Sequence, residues 1–204
     1  MHLKKQLNSH RYLCSRVDSV PVPNLTVLAP RDIGELQAMT RWSVNCDGPC
    51  VIRYGRTSVD LSVRYQNGER FIPGKWETLE TGDACTILAV GSMVETAIAV
   101  RDMLAKQGIQ ARLVNCASVK PMDEAILWEI TSGPVFTLEE HVRTGGFGAA
   151  VCSFYAKEKL PAPAQCFALP DAFITHGSRV QLLDDCGLSA QKIAGEIVKT
   201  LQHK

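Results

Sequence analysis

The stretch TILAVGSMVETAIAVRDMLAKQGIQARLVNCAS, residues 86–118, decides the fold. It opens with a β-rich apolar run, TILAVGS, that stops at Gly91 and Ser92. In the segment that follows, Ala97, Ile98, Val100, Met103 and Leu104 recur near a 3.6-residue period, and Gly108 stands where a helix C-cap glycine belongs. QARLVNCAS then reads as a second strand. Strand, helix and strand in immediate succession describe a crossover between parallel strands. Downstream the alternation continues. KPMDEAILWEI places Pro121 and acidic residues at a helix start, where the partial positive charge of the first turn favours them. VFTLEEH reads as a third strand, GGFGAAVCSFYAKEKL as a glycine loop and helix, and AQCFALP as a fourth strand. SRVQLLDDCG and SAQKIAGEIVKTLQ read as closing helices, with Ser178 and Ser189 suited to N-cap them. The fold class is α/β, an open and mostly parallel sheet with helices on both faces.

Upstream the pattern is less complete. NLTVLAPRDIGELQAMTRWSV reads as a strand, a turn and a helix capped by Asp32, and GPCVIRYGR as another buried strand. Together they form an incomplete α/β segment, too short to bury a core of its own. Between it and Thr86, TSVDLSVRYQNGERFIPGKWETLETGDA is polar and turn-rich and reads as a linker with some short strand. Residues 1 to about 20 follow neither period.

Composition narrows the function. With 22 basic and 21 acidic residues the formal charge is +1, so no summed field draws the chain to nucleic acid or to a membrane surface. The basic start MHLKKQLNSHRYLCSRV has no apolar core of secretory-signal length, and runs such as TILAV have strand length, so a cytoplasmic location is expected. The eight cysteines, Cys14, Cys46, Cys50, Cys85, Cys116, Cys152, Cys166 and Cys186, are scattered without a CxxC pair. They are expected to be free buried thiols rather than metal ligands.

TLEEHVRTGGFGAAV, residues 137–151, is the most chemically suggestive stretch. Its loop follows a strand and precedes a helix, where backbone N–H groups can hold a phosphate. The spacing is neither GxGxxG nor followed by GKS or GKT, so the glycines read as close packing of helix on sheet. Adjacent Glu139, Glu140 and His141 on a strand alternate between faces, which argues against a paired-carboxylate site. His176 precedes the Ser178 helix start and reads as a turn histidine, and no Ser-His-Asp order can be assembled. Arg53 and Arg56 leave the end of a buried strand, where open parallel sheets collect ligands and where arginine binds phosphate bidentately. Arg56 is the candidate binding residue.

The segments NLTVLAPRD, DGPCVIRYGR, TILAVGSMVE, VKPMDE, TLEEHVRTGGFGAAV and LPDAFITHGS, in this order and spacing, resemble the C-terminal part of the 1-deoxy-D-xylulose-5-phosphate synthase family. That resemblance implies a thiamine-diphosphate enzyme that joins pyruvate, with loss of carbon dioxide, to glyceraldehyde 3-phosphate. It implies residues 84–204 as a transketolase C-terminal domain, 58–83 as linker and 1–57 as the tail of the pyrimidine-binding domain, with 1–23 unmatched. Arg56 aligns with the second arginine of the family's RYPRG motif, which binds the phosphate of glyceraldehyde 3-phosphate, although Gly55 and Thr57 replace its proline and last glycine. There is no GDG followed by asparagine and no segment bearing the glutamate that activates the cofactor. The expectation is therefore no catalytic, cofactor-binding or metal-binding residue in this chain, thiamine diphosphate and magnesium belonging to the complete enzyme. The expected partner is a second copy or an N-terminal synthase chain, with no nucleic acid and no membrane, and the chain is expected to be inactive alone. The alternatives are a non-catalytic interaction or regulatory domain and a subunit of a split transketolase.

Overall fold

A computed structural model describes residues 22–55, 71–174 and 176–202. In chain order its elements are β1 (Thr26–Leu28), α1 (Ile33–Ser43), β2 (Cys50–Ile52), β3 (Glu77–Glu80), β4 (Cys85–Ala89), α2 (Met93–Ala105), β5 (Ala111–Asn115), β6 (Ser118–Lys120), α3 (Glu124–Glu129), β7 (Val135–Val142), α4 (Phe147–Lys157), β8 (Gln165–Leu169), α5 (Arg179–Asp185) and α6 (Ala190–Gln202). A five-stranded sheet runs β3-β5-β4-β7-β8. Its inner pairings, β4 with β5 and with β7 and β7 with β8, are parallel, and β3 is antiparallel to β5 at one edge. The expected open, mostly parallel α/β sheet is present.

β4 is buried at every position because helices cover both of its faces. On one face Ile87, Ala89, Leu113, Phe136 and Leu138 meet Val94, Ala97 and Leu104 of α2, Leu183 of α5, and Ile193 and Ile197 of α6. On the other, Leu88, Val90, Val114 and Val135 meet Leu127 of α3 and Phe147, Val151, Phe154 and Tyr155 of α4. The period-2 alternation along the strands thus sorts two separate cores. Punctuation follows local chemistry. Gly108 closes α2 at φ +79, and Ile109 N–H reaches back to Leu104 O at 3.0 Å. Ser178 forms a reciprocal capping box with Gln181 at the start of α5. Ser189 instead sends its hydroxyl to Asp184 Oδ1 at 2.6 Å, tying the start of α6 to α5.

A second sheet of three strands runs β2-β1-β6. β1 is parallel to β2 and antiparallel to β6, so the incomplete upstream segment is extended by a strand from the downstream half. α1 lies on this sheet through Met39, which packs with Leu28 and Ala117. Of the stretch read as linker, residues 57–70 lie outside the described residues, while Glu77–Glu80 is β3, a true sheet edge. The reason is Trp76, buried against Phe147, whose Nε1–H donates to Ser118 O at 2.8 Å and whose backbone N–H donates to Asp123 Oδ2 at 3.0 Å. Among the described residues no helix is long and apolar enough to cross a membrane.

Candidate functional site

The carboxyl ends of β4, β5 and β7 form the edge where open parallel sheets gather ligands. Here that edge is covered by the upstream segment. Ala29 N–H donates to Ala117 O at 2.8 Å, and Gly91, at φ +56, keeps the turn after β4 against Ala29: a Cβ there would sit 3.5 Å from the Ala29 Cβ. The seam is polar. The buried Arg31 guanidinium pairs with Asp32 Oδ2 at 3.2 Å and with the carboxylate of Glu77 on β3. Asp32 caps α1 by accepting from Glu35 N–H at 2.8 Å, and Glu35 returns the favour by accepting from Arg31 N–H at 2.7 Å. The other Glu35 oxygen accepts from Asn115 Nδ2 at 2.8 Å, at the end of β5. Burial pushes the Glu35 carboxyl up to about 7, against the pull of these donors and of the Arg31 charge.

Glu139 is a further buried carboxylate of this edge. Its oxygens accept from Phe147 N–H at 2.7 Å and Gly148 N–H at 2.8 Å, at the N-terminus of α4. Burial raises it to about 7, opposed by these two N–H groups and by the charge of Arg53, which leaves β2. The donors that a bound phosphate would use are thus occupied by the protein's own anion. The glycines permit the approach: a Cβ on Gly146 would collide with the Glu139 carboxylate, and one on Gly148 would lie 2.7 Å from Thr137 Oγ1.

Glu140 faces the opposite side. It accepts from Arg179 Nη2 at 2.6 Å and from Ser92 Oγ at 2.7 Å, joining β7 to α5 and to the start of α2. His141 is buried with Nδ1 2.8 Å from Val142 O, and His176 is exposed in the loop before Ser178. The structure therefore brings together Arg53, Glu139 and the glycine loop, and it directs Glu140 to Arg179 and Ser92 instead. Arg56, the candidate phosphate ligand, lies outside the described residues. Arg31, Glu35 and Asn115 went unnoticed in the sequence. The Asp-x-x-Glu spacing of a capping box and an asparagine closing an apolar strand were the available signals.

Among the described residues no group of three or more His, Cys, Asp or Glu could hold a metal ion. With the Phe147 and Gly148 N–H groups taken as well, the junction does not fit a magnesium diphosphate. The cysteines depart in part from the expectation of burial. Cys85 and Cys116 are buried, but Cys46, Cys50, Cys152, Cys166 and Cys186 are half-exposed, since they sit in loops, on outer helix turns and at a strand edge.

Residues 74–193 match the family described as transketolase, C-terminal domain. The chain belongs to that family. The match to the transketolase C-terminal domain takes in β3, within the stretch read from sequence as linker. The chain is similar to a 1-deoxy-D-xylulose-5-phosphate synthase of Pelotomaculum thermopropionicum, 38% identical over 90% of this chain and 29% of that protein. It is likewise similar to the synthase of Halalkalibacterium halodurans, 37% identical over 90% of this chain and 30% of the relative. It thus spans less than a third of the length of these relatives. Among solved structures, one described as a split-gene transketolase, inactive β4 tetramer, superposes with a TM-score of 0.80 at 33% identity, covering 89% of this chain and 59% of that one.

Proposed function

We propose that this transketolase C-terminal domain protein works as the C-terminal part of a thiamine-diphosphate-dependent 1-deoxy-D-xylulose-5-phosphate synthase and contributes packing and substrate-facing surface rather than cofactor chemistry. The product, 1-deoxy-D-xylulose 5-phosphate, would serve isoprenoid, thiamine and pyridoxal biosynthesis in the cytoplasm. Residues 84–204 act as the C-terminal domain, residues 24–57 as the tail of the pyrimidine-binding domain, and Arg56 as the phosphate ligand for glyceraldehyde 3-phosphate. The observation that supports this reading most is the 38% identity to a synthase sustained over 90% of the chain, through both the upstream segment and the sheet. A structural feature agrees with a missing neighbour: among the described residues β2 pairs only with β1, and it carries half-exposed Val51 and, just beyond its end, exposed Tyr54. A homodimer, or a partner chain bearing thiamine diphosphate and magnesium, would complete that edge.

The test is carboligation of pyruvate with glyceraldehyde 3-phosphate in the presence of thiamine diphosphate and magnesium. The chain alone is expected to give no product, and addition of a chain carrying the cofactor-binding domains is expected to restore turnover. Carboligation by the purified chain alone overturns the proposal. A second reading, a subunit of a split transketolase, is favoured by the 0.80 TM-score to the split-gene structure. Turnover of a ketose donor in place of pyruvate, again only with the partner, selects it.

A further inference from the structure

Cys152 on α4 and Cys166 on β8 have their sulfurs 3.8 Å apart. Both are half-exposed, 14 residues apart in sequence, and carried by elements that are fixed independently. β8 is held in register on β7, with Thr137 opposite Cys166, and α4 is anchored at its first turn by Glu139. Gly148 precedes Cys152 by one turn on the same face of the helix. A Cβ on Gly148 would meet both Cβ and Sγ of Cys166 at 3.0 Å, so the glycine is what lets the strand cysteine seat beneath the helix. The other described thiols differ in part: Cys85 and Cys116 are buried, Cys186 has no thiol neighbour among the described residues, and Cys46, hydrogen-bonded to the carbonyls of Ser43 and Gly48, lies beside Cys50 as a second neighbouring pair.

We propose that Cys152 and Cys166 are a redox-closable dithiol, a modification site that reacts with small-molecule disulfides of the glutathione type. A disulfide requires the sulfurs to close from 3.8 Å to about 2.05 Å. One thiolate attacks a sulfur of the small disulfide, forming a mixed disulfide and expelling a thiolate that takes up a proton. The second protein thiolate then attacks the protein sulfur of that adduct and expels the other small thiol. Two protein thiols are oxidised by two electrons to one S–S bond, and the small disulfide is reduced to two thiols. Burial and the neighbouring Cys166 push the Cys152 thiol up to about 11, so closure accelerates as pH rises above neutrality.

The experiment treats the folded full-length chain with oxidised glutathione, blocks residual thiols with iodoacetamide and maps the cysteines by peptide mass spectrometry. The expected result is a peptide linking Cys152 to Cys166, cleaved by dithiothreitol, with no lasting glutathione adduct on either. Cys152→Ser and Cys166→Ser should each leave a persistent adduct on the remaining cysteine, and unfolding in urea before oxidation should abolish the selectivity for this pair. The linked chain should melt at a higher temperature than the reduced one, and dithiothreitol should reverse the rise. Recovery of Cys152 and Cys166 fully alkylated while other cysteines oxidise, or a stable glutathione adduct on either in the wild-type chain, overturns the proposal.

Discussion

Glu35 and Glu139 sit where burial disfavours charge, and both carboxyls are pushed from 4.5 up to about 7. A group protonated more readily in the folded than in the unfolded chain stabilises fully at pH below its unfolded value, and that contribution is lost as pH rises through its folded value. Stability is therefore expected to fall between about pH 4.5 and 7, with Glu35 accounting for on the order of 3 kcal/mol. Urea titrations across that range should show the decline, and Glu35→Gln should make it shallower, with Glu139 supplying the remainder. A slope unchanged by the substitution would mean that Glu35 titrates as it does in the unfolded chain. The glycine loop makes a steric prediction at the same scale. Gly148→Ala places a methyl group 2.7 Å from Thr137 Oγ1 and against Cys166, both on paired strands that yield little. The overpacking should cost about 1–3 kcal/mol in denaturant unfolding, and Gly195→Ala, where a Cβ meets nothing within 4 Å, serves as the control that should not destabilise.

The elements differ in how plainly the sequence announced them. β4, α2 and β5 were legible because a fully buried strand is continuously apolar and α2 repeats its apolar positions at helical spacing. α5 was legible from Ser178, whose capping box satisfies N–H groups that the helix itself leaves unpaired. Ser178→Ala is expected to cost about 1 kcal/mol, read as a lower melting temperature with faster amide exchange confined to 179–185. A loss of protection throughout the sheet would instead mean that α5 is integral to a single cooperative core. β6 was not legible, and β3 was legible only as some short strand within a linker, not as a sheet edge. β3 is ETLE, a partly exposed edge whose polar alternation resembles a loop, and β6 is three residues long with a partner more than ninety positions earlier. The carboxylate seam was hidden for the same reason: Glu35 and Asn115 meet across 80 residues, and no local period records a contact of that separation.

At the scale of the molecule the question is whether the upstream segment is an appendage or part of the fold. The β1–β6 pairing, the Ala29–Ala117 hydrogen bond, the Asn115–Glu35 bond and the Arg31–Glu77 ion pair all cross from residues 24–52 to the downstream half of the chain. Arg31 is the hub, because its guanidinium is shielded from solvent while it joins Asp32 on its own side to Glu77 on β3. Because Glu77 is half-exposed, this contact contributes on the order of 1 kcal/mol, in addition to the other contacts across the seam. The wild-type chain should therefore unfold in one transition, and amides of Thr26–Leu28 and Ile33–Ser43 should exchange at rates close to those of β4. Arg31→Ala should separate the two, so that hydrogen exchange mass spectrometry shows the upstream segment opening first while Cys85–Ala89 and Ala111–Asn115 remain protected. Should the upstream amides of the wild type already exchange as freely as an unstructured chain, the seam would contribute no net stability. Docking would then have to come from a partner on the open edge of β2, and adding that partner should restore the missing protection.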